Sequence, residues 1–516
     1  QRGTGYSTPR LGCPEYSSLL YDILDENLPQ SERLRLVVDA FRTCRDRLSN
    51  SGIDLTAYNS AASAADLEDL RTVLGYESWN LYGISYGTRL ALTTMRDFPA
   101  GIRSVIIDSV YPPQVNGMAD AAANAARALD VLFTACAEDA TCASAYPNLK
   151  AAFYQTVERL NQEPGIVTIT HPRYDRRYDV LVDGNLLVRV IFGMLYSQQW
   201  LPDLPQVIAN VAEGNYVLMG NVLASILYDE EGLSLGMLYS VQCNEEQSFT
   251  SLAEYESAVA AYPDLRGFLD EAPNLGQTLF EVCSLWGAGL PDPKENLPVT
   301  SSIPTLVMTG QYDPITPPAW GQFTAAFLDH SYFYEYPGLG HGTSVSDMCP
   351  MSMAMAFLDD PSRSPDGSCI RDMLQPSFTV VDKSLTLVPF EDEDYGLRGM
   401  RPEAWEEYYP GTYVRPGSDE VMLMHHFIEG ATASQVSGTI AEQFGLGRLL
   451  QPSGTRAANG FQWTLYETEY QSLSYDLALA ETRSGTLMIL LTSPSNERPD
   501  LVRRVFYPAV DALRFG

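Results

Sequence analysis

The sequence predicts a parallel α/β sheet interrupted by a mostly helical insertion and followed by a smaller α+β domain. Three observations predict it. Strand-like and helix-like segments alternate before residue 112, which makes a parallel sheet; from there to about residue 300 the pattern is mostly helical; and the alternation resumes at Ile303. At 516 residues the chain exceeds what one core serves, and 45% hydrophobic composition leaves ample material to bury.

In chain order, residues 1–9 read as a glycine-rich loop. Residues 36–48 carry Val37, Val38, Phe41 and Leu48 at helical spacing, and a second helix is expected over 61–73. Residues 79–82 read as a strand, 88–96 as the helix after it, and 104–108 as another buried strand. Helical stretches at 119–137, 149–160 and 186–195, broken by proline-rich turns, fill the insertion. The sheet pattern returns at 303–310, followed by Asp313 in a turn, a helix near 319–328, a strand at 332–336, and Gly338-Leu339-Gly340-His341-Gly342.

The stretch that carries chemistry is Gly83-Ile84-Ser85-Tyr86-Gly87. A G-x-S-x-G spacing between a strand and a helix lets the backbone turn sharply enough to lift a serine hydroxyl clear of the sheet. Gly232-Leu233-Ser234-Leu235-Gly236 repeats the spacing, but Asp229, Glu230 and Glu231 precede it where a buried strand should be, and residues 237–241 follow without a helical pattern. Ser85 is therefore the expected nucleophile. Acyl transfer also needs a base to take the serine proton and an acid to hold that base in one tautomer. Asp313 and His341 follow Ser85 in the order Ser, Asp, His, each just past an expected strand, where sites in such sheets form. The other histidines read as structural: His171, His330 at a helix end, and His425-His426 in a strand-like run far downstream.

With these residues in view, roughly the first 375 residues resemble the tripeptidyl-aminopeptidase and proline-iminopeptidase branch of the α/β-hydrolase serine peptidases. The resemblance rests on Arg2-Gly3-Thr4-Gly5 with a cysteine soon after, 83–88 around Ser85, Ile107-Asp108-Ser109-Val110, 309–317 around Asp313, and Gly340-His341-Gly342. It implies an α/β-hydrolase core over 1–112 and 301–376, a helical cap over 113–300, no cofactor, and release of short peptides or single residues from a free N-terminus. The cap then owes a cationic substrate amine some carboxylates. Glu245 and Glu246, just after Cys243, are the candidates, with Asp229, Glu230 and Glu231 behind them. Members of the branch carry a Gly-Gly loop upstream whose N–H completes the oxyanion hole beside that of the residue after the serine, here Tyr86. This sequence has no Gly-Gly pair, and one strand before Ser85 stands where the family places several, so the chain reads as a fragment with an open sheet edge at the elbow.

Eight cysteines fall in sequential couples: Cys13 and Cys44, Cys136 and Cys142, Cys243 and Cys283, Cys349 and Cys369. Local loops are entropically easiest to close, so these four pairs are the expected bridges, and the resemblance implies the same. None has C-x-x-C or zinc-finger spacing, which leaves metal a poor alternative. Bridges place the chain in an oxidising compartment, secreted, surface or periplasmic. A formal charge of −32 argues against nucleic acid and anionic membrane as partners, and no apolar run is long enough to span a bilayer.

Residues 377–516 read as a separate α+β accessory domain: 473–479 alternates as a half-buried strand, 483–485 as a turn, 487–491 as a buried strand and 501–513 as a terminal helix. With Gly396-Leu397-Arg398-Gly399-Met400 and Trp405 ahead, it resembles the PsbP-like sandwich domains. No chemistry is evident there. Three functions fit the sequence: a secreted serine exopeptidase, an esterase of the same fold acting on small acyl esters, and a silent binding protein whose useful part is the terminal domain.

Overall fold

In a computed structural model the chain divides into two units, Gln1–Val380 and Val381–Gly516. The structure describes all residues except 175, 381–384, 393–394, 419, 444–449, 471–472, 496 and 516. The division falls slightly after the expected boundary at 377. Thr379 explains the shift: its N–H donates to Pro202 O, its hydroxyl to Asp203 (2.6 Å), and its carbonyl accepts from Tyr146 (2.9 Å), so this segment belongs to the first unit.

The first unit is built on four parallel strands, β1 (Trp79–Ile84), β2 (Ile102–Asp108), β5 (Thr305–Gly310) and β6 (Ser331–Tyr336), in that spatial order. Between β2 and β5 the chain leaves the sheet for the cap. Val105, Ile107 and Val307 point into one apolar layer with Ala91, Leu92 and Met95 of the helix Tyr86–Asp97. Ile106, Leu306 and Met308 point the other way, onto Met353, Ala354 and Phe357 of the helix Met348–Asp359. Successive side chains of a strand face opposite sides, so a sheet covered on both faces needs continuous apolar runs such as 105–107.

Register brings the carboxyl ends of the strands level: Ile84 pairs with Asp108, Asp108 with Met308, and Gly310 with Tyr336. The residues singled out by sequence leave the sheet at this one end. Among the described residues β1 pairs only with β2, and Tyr82 on it is exposed, as are Val73, Leu74 and Tyr76 just before the strand, which is the open, partly apolar edge expected.

The cap is helical, with one departure from expectation. An antiparallel hairpin, β3 (Gly165–Thr170) and β4 (Arg177–Val182), lies among the helices. Its strands are short and one face is solvated, so they left only a weak alternating signal among stronger helical ones. A second apolar cluster joins Phe41 and Leu48 of the helix Gln30–Asn50 to Tyr239, Leu279, Val282 and Trp286 of the cap. All eight cysteines form the expected sequential bridges, with Cα separations of 5.1 to 5.8 Å.

The second unit holds β7 (Leu387–Asp392), β8 (Leu397–Pro402), β9 (Glu406–Tyr409), β10 (Thr412–Val414), β11 (Met422–Glu429), β12 (Pro452–Ala458), β13 (Phe461–Tyr470), β14 (Leu473–Glu481), β15 (Gly485–Pro494) and β16 (Arg514–Phe515). Seven form one antiparallel sheet, β12-β13-β14-β15-β11-β10-β9, and β16-β8-β7 another. The half-buried reading of 473–479 is corrected. Leu477 and Leu479 face Val436 and Ile440, while Ala478 and Ala480 face Val505, Phe506 and Ala509, so β14 is buried on both faces. Small alanines on the second face hid that burial from the pattern. The terminal helix spans three consecutive stretches, Arg498–Leu501, Val502–Phe506 and Tyr507–Ala512, the middle one widened into a π-turn.

Loop-closure entropy ranks the bridges. Cys243–Cys283 spans 40 residues and Cys136–Cys142 only 6, so the chain-entropy relation assigns about 4 kcal/mol to the first and about 2.4 to the second. Removing the first pair as a double Cys→Ala variant should lower the melting temperature more than removing the second. A reversed order in calorimetry would contradict the ranking.

Candidate active site

The site begins with backbone strain. Ser85 sits between β1 and the helix Tyr86–Asp97 at φ 58°, ψ −125°, a region L-residues avoid at a cost of about 1–3 kcal/mol. Its N–H donates to Asp108 O at 3.0 Å, which anchors the turn to β2. Gly83 makes the turn possible, because a Cβ there would lie 2.2 Å from the Gly87 carbonyl oxygen. Gly87 has nothing within 4 Å of where its Cβ would stand, so the motif's second glycine is not sterically required. Tyr86 opens the helix, and its N–H belongs to the first turn that intrahelical bonds leave unpaired.

Asp313 and His341 meet behind this turn. His341 Nδ1 lies 2.8 Å from Asp313 Oδ2. Asp313 Oδ1 also accepts the N–H groups of Ile315 (3.0 Å) and Thr316 (2.9 Å), and Oδ2 accepts the Thr316 hydroxyl at 2.7 Å. Burial by itself would raise the Asp313 carboxyl, but the imidazole and these donors hold it below the ordinary carboxylate range. Arg127 of the cap binds the carbonyls of Gln311 (2.7 Å) and Asp313, fixing the loop from outside. With Nδ1 on the carboxylate, Nε2 is the nitrogen left for chemistry, and it is buried with no hydrogen-bond partner in the protein.

The loop carrying His341 is clamped by β2. Asp108 accepts Thr343 N–H (3.1 Å) and hydroxyl (2.9 Å) on one oxygen, and Ser344 N–H (2.7 Å) and hydroxyl (2.5 Å) on the other. Burial raises the Asp108 carboxyl, against the pull of those four donors. Gly342 N–H donates to Ser109 Oγ at 2.8 Å. On the cap side, His341 N–H donates to Tyr196 O (3.2 Å), and the Tyr196 ring stacks on the imidazole with centroids 4.1 Å apart and 22° between planes.

A cavity of about 790 Å³ opens over Ser85, Tyr86 and Tyr196. Leu20, Leu24, Met118 and Phe192 are among its apolar lining. The cavity wall also carries charge: Arg189 pairs with Glu230 (2.6 Å), Arg33 of the helix Gln30–Asn50 approaches Glu271 (3.9 Å), Asp183 caps its helix through Leu186 N–H (2.8 Å), and Asp229 lies alongside.

Glu245 and Glu246 are not part of that lining, and the expectation that they receive an amine is corrected. Both are buried, at 1% and 5% exposure. Arg89, itself buried on the helix after Ser85, pairs with Glu245 (3.0 Å) and Glu246, and Glu245 also accepts the Ser60 hydroxyl at 2.7 Å. A buried guanidinium demands such counter-charges. The signal was available in Arg89, a cation on the buried face of the elbow helix.

Ser234 is corrected in its surroundings. A helix, Leu235–Glu245, does follow it, but nine of its eleven residues are buried, so no amphipathic period marked it. The Ser234 hydroxyl borders the cavity and donates to Gly3 O at 2.6 Å. His171 pairs with Glu231 (2.9 Å), His330 stands by Ser302 O (3.0 Å), and His425 and His426 lie in β11, where burial pushes His425 down to about 3. The site residue that sequence reasoning missed is Tyr196, which stacks on His341 from a helix with no motif around it.

Two family models match the chain on either side of the middle of the cap. The alpha/beta hydrolase fold matches residues 1–135, and the TAP-like protein model matches 273–369. The first unit has an α/β-hydrolase fold. The chain is similar to the serine protease Hip1 of Mycobacterium tuberculosis, 22% identical over 321 residues, covering 59% of this chain and 60% of Hip1. It is also similar to the tripeptidyl aminopeptidase of Streptomyces lividans, 30% identical over 117 residues, covering 22% of this chain and 21% of that one. Among solved structures, the cyanobacterial PsbP of Synechocystis sp. PCC 6803 matches 26% of the chain and 94% of its own length, at 12% identity and a TM-score of 0.21.

The two elbow glycines should separate on substitution. Gly83→Ala should sharply reduce folded yield, since a backbone carbonyl must move to admit the methyl group. Gly87→Ala should be neutral or stabilising by up to about 1 kcal/mol, as alanine is the better helix former. Equal melting temperatures for the two variants would refute this account of the turn.

Proposed function

We propose that the protein is a secreted serine exopeptidase that removes short peptides or single residues from free N-termini. The observation that carries the reading is the buried Asp313–His341 pair behind a strained Ser85 under a roofed cavity. Ser85 Oγ attacks the scissile carbonyl as His341 Nε2 takes its proton, and the Tyr86 N–H donates to the oxyanion. The tetrahedral intermediate collapses as His341 returns that proton to the leaving amine. Water then repeats the cycle on the acyl-enzyme, with His341 again as base. Asp313 holds Nδ1–H throughout and stabilises the transient imidazolium. No metal or cofactor enters these steps.

Support for a peptide substrate comes from the TAP-like match, from the names of the relatives, and from the charged cavity wall. Four carboxylates there, Asp183, Asp229, Glu230 and Glu271, face two guanidiniums, Arg33 and Arg189. With Glu230 and Glu271 matched to the arginines and Asp183 capping its helix through Leu186 N–H, Asp229 is the carboxylate we assign to a substrate ammonium. The apolar part of the lining favours the second reading, an esterase on small acyl esters. Export to an oxidising compartment fits the four bridges. Among the described residues, no helix is long and apolar enough to cross a membrane.

Ser85→Ala should reduce turnover by on the order of a million-fold, whereas Ser234→Ala should leave it near the original rate. An intact rate in Ser85→Ala would end the assignment. Peptide amides with free and acetylated N-termini decide the substrate. Free amines should be preferred, and Asp229→Asn should raise KM for them alone; preference for acetylated amides or simple esters would favour the esterase.

A further inference from the structure

The cap does more than roof the cavity. Its segment 195–198 grips the loop that carries the base: His341 N–H donates to Tyr196 O (3.2 Å), Gly340 N–H to Gln198 Oε1 (3.1 Å), and Gln198 Nε2 to Gly338 O (3.0 Å). The fit is close enough that a Cβ at Gly340 would stand 2.7 Å from Leu195 O. Tyr196 ends the helix Gly184–Tyr196 at this junction, with its ring flat on the imidazole, and it lines the cavity together with Ser85. His341 Nε2 has no partner in the protein. The imidazole is thus held by the cap both through its backbone and across its face.

We propose that Tyr196 is a positioning residue of the hydrolytic centre: its ring, stacked on His341, fixes the plane of the imidazole so that Nε2 faces the substrate side of the site. The proposal rests on the Ser85–His341–Asp313 reading. The stack is contact between two flat rings, one of them carried by a loop already fastened at three backbone points, so the imidazole has little freedom to tilt.

Two substitutions test the role of the ring. Tyr196→Phe keeps the stack and deletes the hydroxyl; Tyr196→Ala deletes both. The probe is a small fluorophosphonate, which forms a bond from Ser85 Oγ to phosphorus as fluoride leaves and the serine proton passes to His341. Its labelling rate is read beside the melting temperature of each full-length variant. Tyr196→Ala should label more slowly, by about 10- to 100-fold, as the base loses its orientation. Tyr196→Phe, which keeps the flat ring, should rescue the rate to within about twofold of the original. Loss in alanine with rescue by phenylalanine supports the proposal. Both variants slowed alike, or both at the original rate, overturn it while the triad stands. If Tyr196→Ala does not fold, Tyr196→Leu, which keeps apolar bulk without the flat ring, takes its place under the same criteria. Labelling that survives Ser85→Ala overturns the triad reading and this proposal together.

Discussion

Asp108 is the residue through which the nucleophile and the base are held in one frame. Its backbone carbonyl accepts Ser85 N–H at the elbow, and its carboxylate accepts four donors from Thr343 and Ser344, two residues past His341. The next residue repeats the arrangement, Ser109 N–H reaching Met308 O on β5 while its hydroxyl accepts Gly342 N–H. A buried carboxylate is tolerated only when its lone pairs are filled. At Asp108 the groups that fill them belong to the loop whose position matters. Satisfying one desolvated side chain therefore fixes a catalytic geometry across three strands.

The reach of sequence reasoning follows from how local each signal is. Ser85, Asp313 and His341 were legible because each follows a strand directly, and a strand end in a parallel sheet has one address. The cysteine couples were legible because short loops close most easily. Glu245 and Glu246 misled because a carboxylate near a cysteine says nothing of its partner, and Arg89 lies 156 residues away. The helix after Ser234 and the second face of β14 were missed for a shared reason: complete burial erases the polar–apolar alternation on which periodicity depends. Tyr196 was invisible because its role comes from a meeting of two segments 145 residues apart, at 196 and 341.

Charge is distributed with a similar logic. The chain is strongly acidic, yet it buries a cation, Arg89, clasped by two glutamates beneath the elbow helix. That cluster fixes the helix whose first N–H is the proposed oxyanion donor, through Ser60 and the Tyr86 hydroxyl as well (2.9 Å). The carboxylates that face the cavity come from other parts of the cap, around 183, 229–230 and 271. Structural and substrate-facing acids are thus separated, and a change in substrate preference need not disturb the elbow.

The cap and the sheet cannot be independent bodies. Arg127 grips the Asp313 loop, residues 195–198 grip the His341 loop, and Gly236 N–H reaches back to Leu11 O near the head of the chain. A cap joined to both acid and base loops cannot swing away whole without dismantling the pair it covers. Substrate access must then come from smaller movements at the cavity's rim, where the contacts to the base loop are not at stake. The cavity floor is fixed by the sheet, its ceiling by the same hydrogen bonds that orient His341, so the size of an accepted acyl group and the geometry of catalysis are set by one network.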